Sequence, residues 1–539
     1  MSLSRVRTTG LAAAAMLSVN LGSTVHADVA TLNPQDLAVA NRLSWGVTAS
    51  VMQRISAIGI ENWLQGQLHP APGDHLPPQA LAEINALGMP GYPARNLAQN
   101  LASRVNAAKA AQAPANTESA PATIATMAST GPGANMAQSA FTQPLTPQNV
   151  RNAYLQEAQR QTQARHLLRD IYSADQLREQ MTWFWFNHFN LYGAKGEVRL
   201  FLADYEDRAL RPNALGNFRN LLEATVRSPA MLQYLDNAQN AAGHINENYA
   251  REIMELHTMG VGSGYCQKDV QELARILTGV GVANPGGPEQ ALQHLPPGAV
   301  REGMFAFYPA RHDRGDKLFL GHLIKGGGYD EVRQALDLLC AQPATARHIS
   351  RQLAQFFVAD NPSPTLVGHM AARFMDTHGD IAAVLDLLFH SGEFRASLTQ
   401  PLLKDPQHYV LSAVRMAYDD RIILNTGPIN NWLNRLGEPL YGHLTPDGYA
   451  LERSAWNGPG QIEQRFEIAQ AIGSGAAGLF KGDAPSAASQ PAFPLLQGAL
   501  YYSGLNETLR PGTRAGLAQA TSPQEWNIFF LASPDFMRR

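Results

Sequence analysis

The chain has 539 residues, 45% of them hydrophobic and only 16% charged, with 45 Gly and 34 Pro, a globular composition with an uncharged, loop-rich surface. Its 42 Lys and Arg against 45 Asp and Glu leave a formal charge of −3, which argues against nucleic acid as a partner because no basic excess exists to wrap phosphates. Two cysteines exclude a disulfide-dense scaffold and a four-cysteine zinc site.

Residues 1–27 read as a Sec-type signal peptide. Arg5 and Arg7 supply the basic region, Gly10 through Leu21 the apolar run, and Val25-His26-Ala27 the small-x-small site before cleavage. The run, at about a dozen residues, is too short to span a bilayer of ~30 Å. Arg5-Val6-Arg7 is not a twin arginine, so export of a folded, cofactor-loaded chain is not indicated. The expectation is a periplasmic or secreted protein with no membrane span after signal removal. In that oxidising space Cys266 and Cys340 could form a disulfide worth on the order of 4 kcal/mol; two separate thiols are the alternative.

Residues 28–106 form the N-terminal helical part of the domain, with helices predicted from Pro34 to Ser44 and from Thr48 to Leu68. Residues 107–148 collapse to Ala, Pro, Thr, Ser and Gly with Lys109 and Glu118 as the only charges, too little apolar bulk to fold, and read as a disordered insertion. Residues 149–539 form the main helical domain. Apolar spacing of three to four predicts helices over Tyr154–Ser173, Asp175–Phe189, Glu197–Ala209, Leu215–Ser228, Asn246–Met259 and Gln267–Leu277. A Gly/Pro loop over 280–300 precedes a β-hairpin near 304–324, with strands Met304–Tyr308 and Lys317–Ile324. Helical spacing resumes from Tyr329 to Tyr418, the tail is loop-rich from Thr426 to Gly460, and Gln461–Ile472 and Pro523–Leu531 close the chain. The fold class expected is mainly α, a large multi-helix domain with a small β-hairpin excursion.

Chemistry concentrates on the Asn246–Met259 helix. At ~100° per residue Glu247, Arg251 and Glu255 share one face, with Glu252 to its side. With Asp236 from the preceding turn, these carboxylates could act as a general acid and base tuned by Arg251, the arrangement used in glycoside hydrolysis. An ion-paired surface face is the structural alternative. The aromatic Trp183–Phe189 segment could form a sugar-stacking wall, Trp185 flanked by the polar handles Asn187 and His188. His257, and His312-Asp313 at the hairpin tip, complete the substrate-binding candidates. A metal would have to recruit His188, His257 and His312 from separate elements. No motif indicates a cofactor: the chain lacks a Gly-x-Ser-x-Gly elbow, a Walker loop, a dinucleotide glycine motif after a strand and Cys-x-x-Cys-His.

Several ordered motifs carry a family resemblance. They are Phe184-Trp185-Phe186-Asn187-His188-Phe189, Arg211-Pro212-Asn213-Ala214-Leu215-Gly216, Pro229 through Asn237, Asn246 through Thr258, Tyr265 to Gly279, the His312-Asp313 turn leading to Lys317, and the ending Ser533-Pro534-Asp535-Phe536. Together they resemble the bacterial "domain of unknown function 1800" family over nearly the whole chain outside the insertion. The resemblance implies an exported protein, often encoded beside a member of a second exported family, "domain of unknown function 1501". Two positions depart from the pattern: Cys266 stands where Thr is expected and Ser263 replaces a Gly. Three functions follow as expectations: a polysaccharide-active hydrolase or lyase, a non-catalytic envelope scaffold paired with the co-encoded partner, and a His/carboxylate metalloenzyme.

Overall fold

The computed structural model describes residues 32–112, 146–285, 295–419, 421–482, 493–498 and 505–539. The expected signal peptide lies outside them, as does the expected insertion from residue 113 to residue 145.

Pro opens many of the helices, at a position where its missing N–H costs nothing, and a polar cap before it accepts a first-turn N–H. Asn33, Thr146, Ser363 and Asp405 cap Pro34–Arg42, Pro147–Tyr172, Pro364–Asp376 and Pro406–Ala417 in this way. Gln176–His188 is buried at every position, as befits a helix enclosed by others rather than one lying at a surface. Pro147–Tyr172, Ile60–Leu68 and the π-helical turn Tyr205–Leu210 pack on it. One apolar core runs continuously from Leu37 to Phe536. The fold is mainly α, with two small sheets among the described residues.

Arg42 joins the first helix to the chain's last residues. Its buried guanidinium donates to the Phe357 carbonyl at 2.6 Å and to a backbone oxygen of Arg539 at 3.1 Å, while Leu402 and Arg539 exchange backbone N–H···O bonds at 2.8 Å. These contacts hold Arg539, which lines the crevice described below.

Several elements depart from expectation, among them Thr48–Leu68, broken at Gly59 into Ala49–Ile58 and Ile60–Leu68, and Glu197–Ala209, which is 3-10 over Val198–Leu200, α over Leu202–Asp204 and π over Tyr205–Leu210. The β region is two sheets rather than one hairpin: Phe305–Phe307 pairs antiparallel with both Val280–Val282 and Val300–Glu302, and Lys317–Phe319 turns back onto His322–Ile324. Leu320 and Gly321 at φ 48° and 78° make that turn, the positive-φ pair that tight hairpins require. The predicted Asn246–Met259 helix is α only over Asn248–Glu252 and widens to a π-helix over Ile253–His257. Ala94–Gln112 continues helical past residue 107, with Ala108 buried. The tail contains the helix Gly427–Arg435, whose buried Ile429, Trp432 and Leu433 fall at helical spacing.

Candidate functional site

Two carboxyl groups far apart in the sequence meet at the first turn of Pro406–Ala417. Asp405 caps this helix, its Oδ1 accepting the His408 N–H at 2.7 Å and its Oδ2 accepting from His408 Nδ1 at 2.7 Å. Glu438 Oε2 accepts the Gln407 N–H at 2.9 Å, so both use first-turn donors that have no partner within the helix. Arg539 donates through Nη1 to His408 Nε2. That places the imidazole proton on Nδ1, and burial with the Arg539 charge holds His408 down to about 4.

The two carboxyls differ in proton affinity. Burial alone would raise Asp405, but the His408 and Arg539 interactions outweigh it and hold the carboxyl well below the usual range. Burial and the Asp405 charge push Glu438 well above it. Both line a narrow crevice walled by Trp183, Phe184, Phe356 and Trp456, with Arg453 and Arg539 beside them. Its volume of about 20 Å³ accommodates about one water.

Asn187 is in the crevice wall, but its amide acts on the backbone. Nδ2 donates to the Tyr449 carbonyl at 2.9 Å and Oδ1 accepts the Tyr449 N–H at 2.6 Å. Gly448, at φ +73°, packs so closely on the Asn187 carbonyl that a side chain there would collide with it. The clamp positions Ala450 and Leu451 along the crevice.

The expected carboxylate face forms as its spacing dictates. Arg251 bridges Glu247 at 3.2 Å and Glu255 at 3.3 Å, and Gln267 donates to Glu247 at 2.6 Å. Glu252 is half-buried, and burial with the Glu255 charge raises its carboxyl. Asp236 occupies a left-handed turn at φ 60° and pairs with Lys195 at 2.8 Å. These five residues line neither the Asp405–Glu438 crevice nor the larger groove near Glu223 and Glu302. Arg251 and Glu247 are about a third exposed, so each ion pair is worth a few tenths of a kcal/mol. Glu247→Gln and Glu255→Gln should each change the melting temperature by less than ~1 °C; a fall of several degrees in either would make the face a structural brace.

A protein-family model, that of the "Protein of unknown function (DUF1800)" family, matches residues 38–538. The chain belongs to the DUF1800 family. None of the curated proteins and none of the solved structures compared with it matches.

In this DUF1800 chain two of the three histidines of the metalloenzyme reading, His188 and His257, come together, while His312 is held elsewhere. Both ring nitrogens of His312 are engaged, Nδ1 with the Thr278 carbonyl at 2.8 Å and Nε2 with Glu331 at 2.9 Å. His188 is near His257 and, unforeseen from the sequence, near His348, at ring-centroid separations of 5.9 and 6.2 Å. His188 and His348 donate Nε2–H, each at 3.1 Å, to the carbonyls of His257 and Leu256 at the end of the π-helix. Burial, together with the neighbouring imidazoles, holds His188 down to about 3 and His257 well below its ordinary value. Among the described residues no three His, Cys, Asp or Glu side chains are placed to hold a metal ion.

Other DUF1800 motif residues are structural here. Trp185 is fully buried and donates Nε1–H to the Ala214 carbonyl at 2.8 Å, so it belongs to the core while Trp183 and Phe184 face the crevice. Asp313 is held by Arg275 at 2.9 and 3.2 Å, which keeps its carboxyl below the usual range. Cys266 and Cys340 are free thiols rather than a disulfide. Cys266 Sγ lies 3.0 Å from Asp269 at a helix start, and burial pushes the Cys340 thiol up to about 12.

Sequence reasoning missed Asp405 and Glu438. Asp405-Pro406 carried a helix-cap signal, but nothing local to Glu438 marked it.

Proposed function

We propose that this DUF1800 protein is an exported, polysaccharide-active hydrolase or lyase working by carboxylate acid/base chemistry at the Asp405–Glu438 crevice. The observation that carries the reading is the pair itself, two carboxyls pushed to opposite proton affinities in one aromatic-walled crevice. Separated proton affinities of this kind divide the roles of acid and base. Glu438, held toward its neutral form, is the proton donor. Asp405, kept ionised by His408 and Arg539, supplies the negative charge that orients water or steadies a cationic transition state. The reading keeps the chemistry expected from the sequence but moves it away from Glu247, Glu255, Glu252, Asp236 and Arg251.

The test is release of reducing or unsaturated ends from a panel of neutral and acidic polysaccharides by wild type, Glu438→Gln and Asp405→Asn. Activity in wild type that falls ~10²–10⁴-fold in Glu438→Gln supports the assignment. Full activity in both variants, or none in wild type on any polymer, overturns it.

A second reading, a non-catalytic envelope scaffold docked to the co-encoded "domain of unknown function 1501" protein, is favoured by the Glu247–Arg251–Glu255 ladder, in which one Arg pairs with both carboxylates on a partly exposed face. Co-purification of the two proteins, with no release of polysaccharide ends, would select it.

A further inference from the structure

A groove of about 540 Å³ is distinct from the crevice and shares no lining residue with it; its volume falls within the ~300–1,000 Å³ of small-molecule sites. One helix face supplies much of its wall. Asn220, Glu223, Ala224 and Arg227 line the groove at i, i+3, i+4 and i+7 of Phe218–Val226 and its cap. The other face of that helix, with Leu221, Leu222, Thr225 and Val226, is buried. Ala224 puts only a methyl into a face that is otherwise polar. The π-helical turn Tyr205–Leu210 adds Arg208 and Ala209 to the wall, and the turn at Gly303 adds Met304 and Phe305.

The carboxylates on this wall are already paired. Arg208 Nε is 3.0 Å from Asp204 Oδ1, Arg227 donates to Glu302, and Arg333 Nε stands 3.5 Å from Glu223. An ion of either sign therefore meets the like-charged partner of whatever group attracts it, and gains little. Beside these pairs stand uncharged groups with bonding capacity left. Asn213 spends Nδ2 on the Ala209 carbonyl at 2.9 Å. Among the described residues its Oδ1 and the exposed Asn220 amide have no partner. Ser228, also on the wall, is buried with its Oγ unpartnered. A buried hydroxyl left unpaired in a cavity wall costs free energy until a ligand or water group meets it.

We infer that this groove binds a short stretch of neutral sugar units, a second place where a polysaccharide is held besides the Asp405–Glu438 crevice. The inference rests on the polysaccharide reading above for its polymer class. The physical fit has three parts. Sugar hydroxyls both donate and accept, as the Asn220 amide and the Ser228 hydroxyl do, so neighbouring groups on one ring meet both kinds of partner. The C–H face of a ring suits the apolar part of the lining, Ala209, Met304 and Phe305. An uncharged ligand leaves the three Arg–carboxylate pairs intact, whereas a charged one competes with them.

The test is titration calorimetry and thermal shift of the full chain with maltotriose, cellotriose and chitotriose, against trigalacturonate, trialanine and inorganic phosphate at matched ionic strength. At least one neutral trisaccharide should bind saturably and raise the melting temperature by about 2 °C, with the three controls inert. Asn220→Ala should weaken that binding about 5–10-fold, the loss of one hydrogen bond. Ala224→Gln, which fills the groove from a partly exposed helix position, should abolish it. Both variants should melt within about 1 °C of wild type, and Glu438→Gln should bind the trisaccharide as wild type does. No binding of any neutral trisaccharide, equal binding of a control, binding unchanged in Asn220→Ala and Ala224→Gln, or binding lost in Glu438→Gln overturns the inference. Trisaccharide binding in the groove without release of ends from any polymer would sink the catalytic reading alone, whereas polymer cleavage without such binding would sink only this inference.

Discussion

Glu331→Ala is expected to destabilise the protein by about 3–5 kcal/mol, read as a large fall in the urea midpoint. Glu331 Oε1 accepts from His312 Nε2 at 2.9 Å and from the Gly327 and Gly328 N–H groups at 2.6 and 3.0 Å, and Oε2 accepts from Lys317 Nζ at 2.5 Å. The side chains of Glu331, Lys317 and His312 are almost wholly excluded from solvent. Removing the carboxylate strands the Lys317 ammonium in the interior, and that uncompensated charge sets the size of the loss. The double substitution Lys317→Met with Glu331→Met should cost less than Glu331→Ala alone, because no unpaired charge remains. Burial would raise the Glu331 carboxyl, but the His312 and Lys317 hydrogen bonds bring it down to about 2. Its folded value is therefore below its unfolded one, so its contribution is complete above pH ~4.5 and is lost as pH falls toward 2. A loss under about 1 kcal/mol for Glu331→Ala would refute this account.

Glu438→Gln should act in the opposite direction on stability while removing the proposed activity. The Glu438 carboxyl is raised in the folded protein by burial and by the Asp405 charge. A raised carboxyl contributes fully below its unfolded value and loses that contribution as pH rises through its folded value. Gln preserves the shape and the oxygen that accepts the Gln407 N–H, and it carries no ionisable proton. The variant should melt on the order of 2–4 °C higher than wild type at pH 8, with a shallower decline above pH ~4.5. A residue kept for chemistry at the expense of stability behaves in this way. If Glu438→Gln melts lower than wild type at pH 8, the residue is a structural brace and the acid assignment fails.

Two of the candidate sites differ in how far the sequence exposes them. The Glu247–Arg251–Glu255 face was legible because i,i+4 contacts depend only on residues one turn apart. Its widening into a π-helix was not, because the Leu256 and His257 carbonyls are met by His348 and His188 from other elements. The aromatic segment meets the crevice through Trp183 and Phe184, whereas Trp185, the tryptophan singled out from the sequence, belongs to the core. Trp185 and Trp183 are two residues apart on a helix buried on all sides, and no periodicity distinguishes core from crevice when every face is covered.

The sequence by itself determined the family, the mainly helical class and most helix starts, since caps, proline positions and apolar spacing act between near neighbours along the chain. Only the tertiary structure decided which charges meet. Asp405 and Glu438 share a helix end, His312 is given to Glu331, and Arg42 holds Arg539 from the opposite end of the described chain. The reason is physical: burial and the partner a charge finds set its proton affinity and its cost, and both are properties of the packed interior.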